Sequence, residues 1–130
     1  GTYGQTYPWG NENPECSLSN YSGCIGNTTP VGSYPDGASP YGALDMAGNV
    51  WEWTESLWGE KWLAPEFKYP YDPADGRENI DAGCEVLRVL RGGAFTFSQR
   101  GLRCAFRGRN LPIVRDGDYG FRVCFMALDK

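Results

Sequence analysis

The side chains in this 130-residue sequence that could carry reactive chemistry are five cysteines and a scatter of carboxylates, with no histidine to act as base or ligand. Five is an odd number of thiols, so at least one is free, bonded outside the chain, or reactive. Cys16 and Cys24 flank the short loop Ser-Leu-Ser-Asn-Tyr-Ser-Gly and could close a local disulfide in an oxidising compartment, or stay reduced in a reducing one. Cys84, Cys104 and Cys124 stand far apart in sequence. A cysteine-only zinc site would need four thiolates from unrelated loops, and no Cys-x-x-Cys exists to start one. Ser98 has no histidine base, so a serine-histidine triad cannot be built within this chain. Asp116-Gly117-Asp118 could hold a cation or act as a carboxylate pair, but reads first as a solvated turn.

Charge is unevenly spread. Residues 1–87 carry thirteen acidic and three basic side chains, whereas 88–122 carry eight arginines against Asp116 and Asp118. A basic half invites a nucleic-acid reading. The stretch lacks lysine, however, and its arginines alternate with apolar residues, as in Leu102-Arg103-Cys104-Ala105-Phe106-Arg107. The planar fork of arginine suits carboxylates, which the first half supplies, so the expectation is internal pairing and no nucleic-acid partner.

The elements that must position these groups are few. Eighteen glycines, nine prolines and 15% aromatic residues describe a loop-rich chain with bulky anchors, large enough for one core. No apolar run is long enough to span a bilayer, so membrane insertion is not expected. Residues 1–40 are almost all turn material, with one short extended piece expected over 31–34. Val50 to Thr54 has strand character, with Trp51 and Trp53 on one side. A long irregular loop is expected over 55–83, then three strands over 86–91, 102–107 and 120–126, with Gly92-Gly93 placed before a strand rather than a helix and so not cradling phosphate. The expected architecture is a small antiparallel sheet wrapped in long loops. The tryptophans Trp9, Trp51, Trp53, Trp58 and Trp62 would mostly be core, though they could also stack on a sugar or peptide.

Six blocks occur in a telling order: Tyr7-Pro8-Trp9-Gly10-Asn11, Thr29 to Pro35, Tyr41 to Trp53, Val89-Leu90-Arg91-Gly92-Gly93-Ala94-Phe95, Arg103 to Arg107, and Gly120-Phe121-Arg122-Val123. In that order and spacing the chain resembles the formylglycine-generating enzyme, or sulfatase-modifying factor, superfamily. The resemblance covers nearly all of residues 1–130, read as a single domain that is the C-terminal part of a larger sulfatase-modifying-factor-like domain, with the rest of a larger polypeptide upstream. It implies an α+β, loop-rich, C-type-lectin-like fold.

The resemblance also implies which residues would act. Enzymes of this type oxidise a substrate cysteine with copper held by two cysteines soon after the Gly-Gly-Ser/Ala-aromatic block. Here the first such position is Phe97, and 98–102 contain no cysteine. Phenylalanine offers a soft copper ion no ligand atom. Cys104 falls in a block that the family uses as scaffold. In the family a calcium ion is held by the side chain at Asp45, the backbone carbonyls at Gly48 and Val50, and the carboxylate at Glu52, an all-oxygen set of the kind calcium takes. The plain alternative is that Asp45 caps a turn and Glu52 pairs with an arginine. A second family calcium site would involve Asn20-Tyr21, with a shortened loop after it.

The expected function is a non-catalytic, calcium-stabilised C-type-lectin-like binding or scaffold module, with no catalytic residues and with a protein or other ligand engaged by loops 55–83 and 96–118. In this superfamily such domains are fused to bacterial kinases, caspase-like proteases or surface proteins. The alternatives are a formylglycine-generating oxidoreductase acting on protein cysteine, and the variable ligand-binding protein of a diversity-generating retroelement, whose mutable stretch would be 96–119.

Overall fold

A chain so rich in turn residues needs a few strands to hang its loops on, and the tryptophan-bracketed segment supplies the first. The structure, a computed structural model, describes residues 4–125. Strand β1 runs Trp51–Gly59, β2 Leu87–Arg91, β3 Gly108–Asn110 and β4 Tyr119–Gly120. They form one sheet in the order β3-β2-β1-β4. The pairs β1/β2 and β2/β3 are antiparallel, with Trp53 opposite Leu90 and Val89 opposite Arg109, while β4 runs parallel to β1, with Tyr119 beside Trp51. Among the described residues helix is confined to two single 3-10 turns, Pro35–Gly37 and Gln99–Leu102.

Several sequence expectations are corrected. The sheet is mixed rather than antiparallel, because the last strand returns to β1 after a long excursion instead of through a hairpin. Strand β1 continues to Gly59, five residues into the stretch expected to be irregular, since Leu57 and Trp58 are buried against β2. The stretch 102–107 is not a strand: Leu102 ends a 3-10 turn, and pairing begins only at Gly108. Gly108 has a steric reason to start the strand, because a Cβ there would lie 3.2 Å from the Trp51 ring and 3.3 Å from Leu90 Cβ. Gly92-Gly93 therefore follows β2 and leads into a turn, not a strand. Residues 31–34 form a turn, with Gly32 at φ +80°. Of the expected strand over 120–126, Gly120 belongs to β4, residues 121–125 carry no ladder, and residue 126 lies outside the described residues.

The core sits on both sides of β1. Trp51, Leu90 and Ala94 form one buried cluster, with Trp53, Phe106 and Tyr119 packed against it. Trp51 and Trp53, two apart on a strand, thus serve the same cluster, as strand periodicity requires. Trp58, Leu87 and Val89 form a second, and Tyr21, Ala47 and Leu102 a third, against which Tyr7, Trp9 and Cys24 pack.

Of the arginines of the basic half, Arg122 pairs with a carboxylate as expected, and most of the others bond elsewhere. Among the described residues the ion pairs are Arg77–Asp75 and Arg122–Glu52. Four other forks donate to backbone carbonyls, most of them in loops: Arg88 to Asn79 O and Ile80 O as well as to Glu55 O on β1, Arg91 to Phe106 O and Cys104 O, Arg107 to Phe67 O, and Arg109 to Trp62 O. Irregular backbone lacks ladder partners for its carbonyls, so a five-donor side chain on a nearby strand is the natural means of satisfying them. The same cations stack on rings of the 55–83 segment. Arg107 lies over Trp58 at 5.1 Å and Tyr69 at 5.4 Å, and Arg109 over Trp58 at 5.0 Å and Trp62 at 5.2 Å. Burial pushes the Arg107 guanidinium below its ordinary value, though an arginine remains a cation at neutral pH.

Candidate functional site

The chain between Asp45 and Glu52 has to reverse sharply before entering β1, and the residue types are those that tolerate it. Asp45, Gly48 and Asn49 all have positive φ, at 53°, 82° and 67°, a region open to glycine and to short Asp and Asn side chains. A Cβ on Gly48 would run into Ser19 Oγ and lie 2.5 Å from Asn20 O, so glycine is required there on two grounds. The turn faces the Gly92-Gly93 turn after β2: Gly48 N–H donates to Gly92 O at 2.8 Å, and Phe95 N–H donates to Asn49 O at 2.9 Å. The two most distinctive sequence blocks are therefore locked turn against turn.

Beneath the turn lies a buried polar network that the sequence did not reveal. Ser19 Oγ donates to Ala47 O at 2.7 Å, and Asn49 N–H donates to Asn20 O at 2.8 Å. The Asn49 amide pairs with the Thr29 backbone, accepting its N–H at 2.9 Å and donating to its carbonyl at 3.1 Å. Asn20, fully buried, donates to Asn27 O at 2.7 Å. No buried side-chain nitrogen or oxygen among the described residues lacks a partner. The Asn20-Tyr21 segment, to which the resemblance gave a second calcium site, is thus engaged in buttressing the first turn. Cys16 and Cys24 are joined by a disulfide with Cα atoms 5.6 Å apart, closing the loop that carries Ser19 and Asn20. Cys84 and Cys124 are free and exposed, and Cys104 is free and half-buried.

Asp45, Gly48, Val50 and Glu52 all line one cavity of about 590 Å³, together with Gly32 and Arg122. Asp45 Oδ2 accepts the Gly32 N–H at 2.6 Å. Glu52 faces Arg122, whose Nε reaches its two carboxylate oxygens at 3.1 and 3.0 Å and whose Nη2 reaches Oε1 at 2.7 Å. The same guanidinium donates to Leu44 O at 3.0 Å and Asp45 O at 2.9 Å. Its bond to Glu52 holds Arg122 charged above the ordinary arginine value. Both plain alternatives raised by the sequence are therefore realised: Asp45 caps the Gly32 turn, and Glu52 pairs with an arginine. Neither uses up the oxygens, since an ionised carboxylate offers about four lone-pair sites. The cavity lining brings the Asp45 and Glu52 side chains beside the backbone of Gly48 and Val50, residue types of the kind calcium takes, with the Arg122 guanidinium already seated on Glu52.

The Phe97 position is filled by packing. Its ring lies edge-on to Trp51 at 5.1 Å and against Phe106 at 5.7 Å. Among the described residues no group of three or more His, Cys, Asp or Glu side chains gathers to hold a metal.

The deciding observation is that residues 1–127 match the model of the sulfatase-modifying factor enzyme 1-like domain. The chain belongs to the sulfatase-modifying factor family. Serine/threonine-protein kinase pkn1 of Chlamydia caviae is 43% identical over 119 residues, covering 89% of this chain and 17% of the kinase. Hercynine oxygenase of Mycolicibacterium smegmatis is 36% identical over 129 residues, covering 92% of this chain and 27% of the oxygenase. The chain thus spans about a sixth to a quarter of the length of these relatives. Among solved structures, Treponema denticola variable protein 1 superposes with a TM-score of 0.61 at 28% identity, covering 91% of this chain and 40% of that one. The family's order of blocks therefore corresponds here to a small mixed sheet, little helix and long loops, with the Asp45–Glu52 turn at the head of β1.

Proposed function

We propose that this chain is a non-catalytic, calcium-stabilised binding or scaffold module with a C-type-lectin-like fold. The observation that carries the reading is the contrast between two positions. At Asp45–Glu52 the four residues of the expected ligand set are present and line one cavity. At Phe97, where the resemblance calls for a copper-binding thiolate, a phenyl ring packs against Trp51 and Phe106. Calcium would take the Asp45 and Glu52 carboxylates and the Gly48 and Val50 carbonyls, with Glu52 shared with or released by Arg122. Bound there, the ion would supply charge neutralisation and rigidity to the turn. The likeness to pkn1, of which the match covers 17%, supports a module carried within a larger signalling protein. The ligand would be met by loops 55–83 and 96–118, which the arginine-aromatic stacking holds in shape.

A second reading, a variable display protein with 96–119 as the changeable face, draws on the likeness to variable protein 1. A third, a formylglycine-generating oxidoreductase, draws on family membership alone. One experiment separates the first from the third: incubating the intact protein with Cu(I), oxygen and a cysteine peptide. The proposed module leaves the peptide unoxidised; turnover above the no-protein control would establish an enzyme.

A further inference from the structure

We infer that the Cys16–Cys24 disulfide is a redox control on the Asp45–Glu52 cation site, a proposal that rests on the calcium reading above. The nine-residue loop closed by this bond is the buttress under the turn. From it, Ser19 Oγ reaches Ala47 O, and Asn20 O receives the Asn49 N–H. Tyr21 packs with Ala47 and Leu102, and Ser22 N–H donates to Phe97 O at 3.0 Å. Three consecutive residues of one small ring, Ser19 to Tyr21, thus hold the strained turn, including both residues whose atoms a Gly48 Cβ would strike, while Ser22 ties the ring to the segment after β2. The Gly48 carbonyl shares a peptide plane with the Asn49 N–H that Asn20 O receives, so that bond fixes the direction of one of the carbonyls the ion would take.

The bond is open to attack. Cys16 is exposed and Cys24 half-buried. A thiolate of a small dithiol attacks Cys16 Sγ, forming a mixed disulfide and releasing Cys24 as a thiolate that takes up a proton. The second thiol of the reductant then displaces Cys16, which is protonated in turn, and the reductant leaves as its own disulfide. Two electrons pass from dithiol to protein. The opened loop regains chain entropy, and the network that fixes Asn49 is weakened with it.

The test uses the intact protein, titrated with calcium first oxidised and then after dithiothreitol. Amide exchange at Asn49 is followed in both states without metal. The expected result is calcium affinity about tenfold weaker on reduction, within the usual range for coupled sites, with faster exchange at Asn49. The Cys16→Ser/Cys24→Ser variant should match the reduced protein in both readouts, and the Cys84→Ser/Cys124→Ser variant should still respond to dithiothreitol. Equal calcium affinity and equal Asn49 exchange before and after reduction would overturn the switch. An oxidised protein that takes up no calcium would overturn both the switch and the reading beneath it, and the first titration tells these failures apart. Should the double serine variant fail to fold, the dithiothreitol comparison decides alone.

Discussion

Arg122 grips Glu52 across seventy residues of sequence, and with the same guanidinium it ties down the carbonyls of Leu44 and Asp45. One side chain from beyond β4 therefore spans the turn that enters β1. In the proposed module this cation and a calcium ion compete for, or share, one carboxylate. Replacing Arg122 with methionine should lower metal-free stability by about 1 kcal/mol, the scale of a partly exposed ion pair, and should tighten calcium binding. Chemical denaturation and calcium titration of the variant check the two effects separately.

Gly48→Ala is expected to cost about 2–3 kcal/mol, because it adds left-handed strain to a clash with buried backbone. Gly117→Ala meets nothing within 4 Å and has no positive φ, so it should be near neutral. Urea unfolding of the two variants compares them directly.

The 60–83 segment is held by arginines, Arg88, Arg107 and Arg109 from outside it and the buried Arg77 within it, rather than by a core of its own. Arg107→Ala removes the bond to Phe67 O at 2.8 Å and the stacking on Trp58 and Tyr69. Global stability should fall by about 1–2 kcal/mol. Limited proteolysis should cut within 60–83 well before the sheet is lost, and Arg107→Lys should restore only part of the protection, since lysine cannot reproduce the planar fork.

That segment also carries an acid-sensitive contact. The side-chain bond from Arg77 holds the Asp75 carboxyl below the ordinary aspartate range. A depressed folded-state value means the contact stabilises the loop above the unfolded aspartate value of about 3.9 and is lost as pH falls through the folded one. Protease protection of 60–83 should therefore drop as pH falls below about 4. In Asp75→Asn that drop should disappear, with protection already low at neutral pH.

The parts of this fold legible in the sequence are those where a residue type has one structural use. Trp51 and Trp53 announce a strand face, and 87–91 reads as a strand because Leu87, Val89 and Leu90 are apolar and buried. The alternation of Arg103 and Arg107 with apolar neighbours suggested a strand that does not exist, because those arginines reach for distant carbonyls or solvent instead of marking an exposed sheet face. The Asn20–Asn49 network stayed hidden for a different reason. Its bonds join positions about thirty residues apart, and nothing in the local sequence of Ser19-Asn20 distinguishes a buried buttress from one more turn. The parallel pairing of β4 was equally unreadable, since two residues leave no periodicity to read.

In the proposed module Asp45 and Glu52, which line the cavity at the head of β1, bind calcium. Calorimetric titration of the metal-stripped, oxidised protein tests it most directly, with Asp45→Asn and Glu52→Gln titrated alongside. Saturable uptake at this site that is abolished or strongly weakened in both variants is the predicted result. No uptake by the unaltered protein, or uptake that both substitutions leave unchanged, would contradict it.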